Sequence, residues 1–159
     1  VLSCICVLIL GVCSIQCMKH KTRLAKYISL LLIVNTLSVA GYTLIFFSHT
    51  YRGMSIGNSI FLAGADWLCY ATLLYTVEYT KYKDKPILPY NRWLQVLVIL
   101  IFVADSISML CNAVYEHALR YQVIYYKGEQ YLRLIPQPLY YVHLLIECVA
   151  FVVSMGIFI

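Results

Sequence analysis

Charged residues are scarce in this sequence: they make up 12% of its 159 residues, whereas soluble domains carry about 25%. Hydrophobic residues make up 62%, and the mean hydropathy is +0.80. This balance excludes a soluble globular domain and predicts an all-α, polytopic membrane helix bundle. The chain also lacks a long basic run and any nucleic-acid-binding motif, so we expect no nucleic acid among its partners.

Paired cysteines and soluble catalytic signatures are missing as well. The seven cysteines fall within or at the ends of apolar runs, and none forms a CxxC pair. They predict small buried side chains and indicate neither a disulfide framework nor a metal site. The sequence has no glycine-rich phosphate loop, no HExxH and no GxSxG motif. It therefore predicts no catalytic residue and no cofactor in this region.

Long apolar runs dominate what is present. They predict five helices, at about 1–18, 27–47, 56–79, 93–115 and from 139 to the end; about 20 apolar residues suffice to span a bilayer. Basic residues follow the first run and do not precede it, which favours a spanning helix over a signal peptide. Because no Met begins the chain and both ends lie in apolar runs, we expect residues 1–159 to be a single membrane domain of a longer protein.

Basic residues concentrate in two of the predicted loops. The loop between the second and third helices holds only Arg52. The two basic loops, after the first and third helices, contain Lys19, Lys21, Arg23 and Lys26, and Lys81, Lys83, Lys85 and Arg92. The positive-inside rule places both basic loops in the cytoplasm, which predicts an N-terminus outside and a fifth helix running inward.

The predicted outer loop between the fourth and fifth helices has its own pattern. Residues 121–126 and 131–135 are aromatic and β-branched runs that flank a turn containing Gly128. This arrangement predicts an extracellular β-hairpin. Since an isolated hairpin is marginal in water, we expect it to lie against the helix ends.

Polar side chains recur at helical spacing on four of the predicted helices, and we expect these faces to turn inward because lipid disfavours them. The four stripes contain Asn35, Ser38 and Tyr42; Ser59, Ala63, Asp66 and Tyr70; Asp105, Ser108 and Asn112; and Tyr140, His143, Glu147 and Ser154. Acids deep in a membrane are candidates for functional sites. The candidate ligand-binding residues are Asp66, Tyr70, Asp105, Asn112, His143 and Glu147.

Counting from the helix ends puts Asp66, Asp105 and Glu147 near mid-depth, where the visible helices carry no Lys or Arg. Three clustered carboxylates without a cation cannot all stay ionised. Either some are protonated, or a cation, a ligand, a charged His143 or a basic residue elsewhere balances them. The plainer interpretation is that the Ser, Asn and Tyr side chains only bond helices together, and that His143 and Glu147, one turn apart, pair with each other.

The order of these features resembles a known family. The features are the VEYT that ends the third helix, a short basic loop, DSISMLCNAVYEH at the end of the fourth helix, and the hairpin YYKGEQYLRLIPQPLYYVH. They are similar to the N-terminal seven-helix sensor region of bacterial histidine kinases and related diguanylate cyclases. The resemblance implies seven spans, of which five are visible, followed by a cytoplasmic kinase or cyclase region, and by analogy a homodimer.

The function expected from these observations is that of a sensor in the bacterial plasma membrane, which passes a small-molecule or membrane signal to such an output region. Two alternatives stay open. Acids at mid-depth would also suit a small proton- or cation-coupled transporter, although no broken helices or repeats are visible. The third possibility is a membrane anchor, in which the polar stripes serve packing alone.

Overall fold

The computed structural model describes residues 2–48, 50–82, 92–126 and 129–158. Within these ranges the chain forms five helices and one antiparallel strand pair. The elements are α1 (Leu2–Met18), α2 (Arg23–Phe47), α3 (Tyr51–Tyr82), α4 (Arg92–Tyr115), β1 (Leu119–Tyr126), β2 (Glu129–Pro136) and α5 (Pro138–Phe158). The described chain therefore contains the predicted helices and an antiparallel strand pair between the fourth and fifth of them. The predicted turn at Gly128 and the basic-loop residues Lys83 and Lys85 lie outside the described residues.

Four of these helices, α2 to α5, are long and apolar enough to cross a membrane. This finding agrees with four of the five predicted spans. The fifth, α1, is an apolar helix of 17 residues and is shorter than the others. Membrane crossing by α1, and the total of seven spans, therefore stay predictions.

Two helices begin earlier than the sequence analysis predicted, because hydroxyl side chains cap them. The Thr22 side chain accepts a hydrogen bond from the Ala25 amide at 3.3 Å, so α2 starts at Arg23 and not near residue 27. The Thr50 side chain accepts from the Gly53 amide at 3.1 Å, so α3 starts at Tyr51 and not near residue 56. Hydropathy marks where the apolar run begins, whereas the capping hydroxyl marks where the helix begins.

Helix α3 is the centre of the bundle. It packs against α2, α4 and α5, and α1 packs against α2. Of the four candidate spans, α3 is the least apolar and has the largest share of its residues buried. A helix surrounded by other helices needs fewer lipid-compatible side chains, so its polar residues are tolerated where they are.

Glycines permit a close approach between α2 and α3. A Cβ added at Gly41 would lie 2.5 Å from the backbone nitrogen of Phe61, and one added at Gly64 would lie 2.8 Å from the Cα of Ser38. Such close backbone contact at small residues is the usual way in which helices associate in membranes. Gly41 therefore occupies the contact face. Its neighbour Tyr42, which was expected to face inward, has its side chain 47% exposed at the edge of the contact.

The hairpin is tied to the bundle where it leaves α4. The side-chain oxygen of Asn112 accepts hydrogen bonds from the amides of Ala118 and Leu119 at 2.7 and 2.9 Å, and its side-chain nitrogen donates to the Leu119 carbonyl at 3.1 Å. Ala118 and Leu119 pack with Leu62 and Met109 in a buried apolar cluster. The start of β1 is therefore buried against the bundle. Its position outside the cell stays a prediction.

Candidate functional site

Three ionisable side chains from three helices meet inside the bundle. Nδ1 of His143 on α5 lies 2.9 Å from Oδ2 of Asp105 on α4 and 3.4 Å from Oδ1 of Asp66 on α3. The Asp66 and His143 side chains are fully buried, and Asp105 is 7% exposed. Among the described residues, this set is where α3, α4 and α5 share a polar contact, and we refer to Asp66, Asp105 and His143 as the triad.

Two further side chains hold the triad from outside. The Ser106 hydroxyl donates to Oδ2 of Asp66 at 3.0 Å, which leaves the other oxygen of that carboxylate directed at His143. Oε1 of Glu147 lies 3.4 Å from Nε2 of His143, one turn along α5. Both nitrogens of the imidazole ring therefore face carboxylates.

Helical spacing explains how these residues reach one another. On α4 the buried positions Asp105, Ser106, Met109 and Asn112 recur at intervals of one, three and three residues, so they lie on one face. On α5 the interval of four between His143 and Glu147 puts both on the same side. That face of each helix points to α3, which supplies Asp66.

Four of the six predicted site residues thus come together: Asp66, Asp105, His143 and Glu147. Asn112 does not join them, because its amide is used to hold the start of the hairpin. Tyr70 lies one turn beyond Asp66 and packs its ring against those of Trp67 and Phe102. Ligand contact by these six residues stays a prediction.

Sequence reasoning missed Ser106 and named Ser108 in its place. The Ser108 hydroxyl instead lies 3.0 Å from Nε2 of His117, near the start of the hairpin. Choosing Ser106 would have required knowing which face of α4 meets Asp66, which periodicity alone does not give. Glu78, a further acid on α3, pairs with Lys81 at 3.8 Å near the end of the helix.

The charge balance of the site is uneven. Counting Glu147, it contains three carboxylates and one imidazole, and the described Lys and Arg residues lie in connecting segments, at helix ends or in the strands. Oδ1 of Asp66, Nε2 of His143 and Oε1 of Glu147 are buried atoms without a hydrogen-bond partner among the described residues. Such groups are costly to bury unless a charge or a ligand satisfies them.

The same atoms offer a set of ligands. One donor atom from each of Asp66, Asp105 and His143 lies within 4.8 Å of the others. The sequence analysis looked for a metal site in the cysteine spacing and so did not find this set, which consists of two carboxylates and an imidazole on three separate helices. Chemically, the site can bind a cation or a hydrogen-bonding ligand, and it links the relative positions of three helices.

Comparison with known families shows where the chain belongs. The family model described as the N-terminal 7TM region of histidine kinase matches residues 1–159. No curated protein and no solved structure matches the chain. Together with the four candidate spans, this match identifies a multi-pass membrane protein.

Proposed function

Since the chain belongs to the family of N-terminal 7TM regions of histidine kinases, we propose that it receives a signal at the buried triad and passes it inward as a change in helix packing. The observation that carries the proposal is the meeting of Asp66, Asp105 and His143 from three helices in a site that is almost fully buried. In this proposal residues 1–159 act as one sensor domain.

The depth of the triad supports a functional role. Asp66 lies roughly 22 Å along α3 from Tyr51, and Asp105 lies roughly 20 Å along α4 from Arg92, at 1.5 Å per residue. Both positions fall well inside spans that cross a hydrocarbon core about 30 Å thick. Ionisable side chains at that depth are costly, and they usually mark a ligand site or a relay.

The contacts of the triad also provide a means of transmission. Removing one partner of a buried ion pair typically costs about 3 to 5 kcal/mol, because the other charge is left uncompensated. A signal that binds these groups more tightly in one packing of α3, α4 and α5 than in another would shift the balance between the two. The helix ends near Lys81 and Phe158 would then move relative to one another.

The proposed output is a cytoplasmic histidine kinase working as a homodimer. The family match supports the kinase and gives no support to the cyclase alternative. The basic residues of the two inner loops support an orientation with the N-terminus and hairpin outside the plasma membrane. Reporter fusions at residues 20 and 137 would test that orientation, and equal signals from one compartment at both sites would contradict it.

The test of the proposal uses neutral isosteres in the full-length protein reconstituted in liposomes. We expect Asp66→Asn, Asp105→Asn and Glu147→Gln to change the rate of autophosphorylation, because each removes one carboxylate charge from the site. Glu78→Gln is the matched control: it makes the same chemical change on α3 but lies at the Lys81 end. If all three variants insert normally and phosphorylate like the unmodified protein, the site has no role in signalling.

A further inference from the structure

We infer that the triad is a binding site for a divalent first-row transition metal ion, with Zn²⁺ or Mn²⁺ as the probe ions. The inference deepens the proposed function by naming a ligand class for the same site, and only its signalling consequence rests on that function. The ligand atoms would be Oδ1 of Asp66, Oδ2 of Asp105 and Nδ1 of His143.

The spacing of the donor atoms fits a coordination shell. Zn²⁺ binds His nitrogen and carboxylate oxygen at about 2.0 to 2.2 Å, which separates neighbouring ligand atoms by roughly 2.9 Å at a right angle and roughly 3.4 Å at the tetrahedral angle. The distances from Nδ1 of His143 to the Asp105 and Asp66 oxygens are 2.9 and 3.4 Å, the shorter of which is a hydrogen bond that a bound ion would replace. One donor atom from each of the three residues lies within 4.8 Å of the other two.

A buried carboxylate oxygen without a hydrogen bond also points to a ligand at the triad. The Asp66 side chain is fully buried, and its Oδ1 atom has no hydrogen-bond partner among the described residues. Its other oxygen, by contrast, accepts from the Ser106 hydroxyl. The carboxylate is therefore held by one oxygen while the second, free of a hydrogen bond, faces His143, which is the arrangement of a ligating group fixed by a supporting hydrogen bond.

Glu147 completes the pattern on the far side of the ring. A metal-bound histidine usually donates its second N–H to a carboxylate or carbonyl, which fixes the ring orientation and strengthens the ligand. Oε1 of Glu147 lies 3.4 Å from Nε2 of His143, one turn away on the same helix. Its side chain is 20% exposed, whereas those of the three ligand residues are at most 7% exposed.

Charge and ligand chemistry select the class of ion. In the metal-bound state the imidazole is neutral and the three carboxylates carry three negative charges, which a divalent cation reduces to one. Imidazole nitrogen favours transition metals, whereas Mg²⁺ and Ca²⁺ prefer oxygen ligands alone. With three protein ligands, the ion would keep a position for water or another small ligand.

The binding experiment uses the full-length protein, purified in detergent, stripped with a chelator and titrated with Zn²⁺ or Mn²⁺. We expect one ion per chain. Asp66→Asn, Asp105→Asn and His143→Gln should abolish binding, while Glu147→Gln and Ser106→Ala, which keep all three ligands, should weaken it by roughly 10- to 100-fold. The controls Glu78→Gln and His20→Gln lie outside the triad and should bind normally.

X-ray absorption of the bound ion provides a readout that folding does not affect, and it should show oxygen and nitrogen ligands including one imidazole. Absence of stoichiometric binding, or binding unchanged by Ser106→Ala and Asp66→Asn, overturns the inference. If the ion binds but autophosphorylation ignores it, the metal site stands and its signalling role falls. If the isosteric variants change autophosphorylation and no ion binds, the proposed function stands and the metal inference falls.

Discussion

A single methyl group at Gly41 should disturb the contact between α2 and α3. The Cβ of Gly41→Ala would lie 2.5 Å from the backbone nitrogen of Phe61, 0.9 Å inside the 3.4 Å at which ordinary contact begins. Its other near neighbours are the Gly57 oxygen at 2.8 Å and the Ile60 carbonyl carbon at 3.0 Å. All three are backbone atoms of α3, so no side-chain rotation can relieve the overlap and the helices must separate.

The expected size follows from two opposing effects. Overpacking costs about 1 to 3 kcal/mol, and contact with backbone on three sides places this variant near the upper end. Replacing a helical glycine by alanine gains about 1 kcal/mol. We therefore expect the free energy of unfolding to fall by about 2 kcal/mol. Gly11→Ala is the matched control, because its Cβ would meet nothing within 4 Å, and it should gain up to about 1 kcal/mol.

The assay is reversible unfolding in mixed detergent micelles, followed by tryptophan fluorescence and compared between the two variants. The predicted difference between their free energies of unfolding is about 3 kcal/mol. All of it comes from the steric overlap at Gly41, because both variants gain equally from replacing a helical glycine. A second variant at the same contact, Gly64→Ala, should also have a lower free energy of unfolding, since its Cβ would lie 2.8 Å from the Cα of Ser38. Equal stability of Gly41→Ala and Gly11→Ala would refute the close helix contact.

Two further predictions concern the hairpin. Asn112→Ala leaves the Ala118 amide and both backbone groups of Leu119 without their partner, so we expect a loss of at least about 2 kcal/mol and faster amide hydrogen exchange in β1, whereas Ser108→Ala should leave exchange there unchanged. Burial of the hydroxyl raises the pKa of Tyr121 to about 12, and the nearby Tyr51 makes a smaller contribution in the same direction. Since its unfolded pKa is about 10, the unfolded chain loses this proton first, and stability should fall as pH rises from about 10 to 12. Tyr121→Phe should flatten that pH dependence; an unchanged alkaline profile would contradict the burial of this hydroxyl.

The candidate site was only partly accessible from the sequence. Helical periodicity identified Asp66, Asp105, His143 and Glu147, because a polar residue in an apolar run stands out at any register. Periodicity could not separate these residues from Asn112, which occupies the same face of α4 but bonds to the hairpin base. It also could not distinguish Ser106 from Ser108, since both follow Asp105 closely and only the position of α3 decides between them.

Helix boundaries show a similar division. Apolar runs predicted the positions of α4 and α5 to within a residue or two, since proline precedes α5 and the runs end sharply. They predicted late starts for α2 and α3, because Thr22 and Thr50 add a polar first turn by capping. Capping is a local hydrogen bond that hydropathy does not register.

The sequence by itself determined that this chain is a membrane helix bundle, which apolar runs form its helices, and which buried acids need an explanation. Those conclusions depend on the cost of placing charge and unpaired backbone in lipid, which acts on each residue separately. Only the tertiary structure decided that α3 is the central helix and that Asp66, Asp105 and His143 share one site. Contacts between residues 66, 105 and 143 depend on helix rotation and pairing, and these are set by packing among distant parts of the chain.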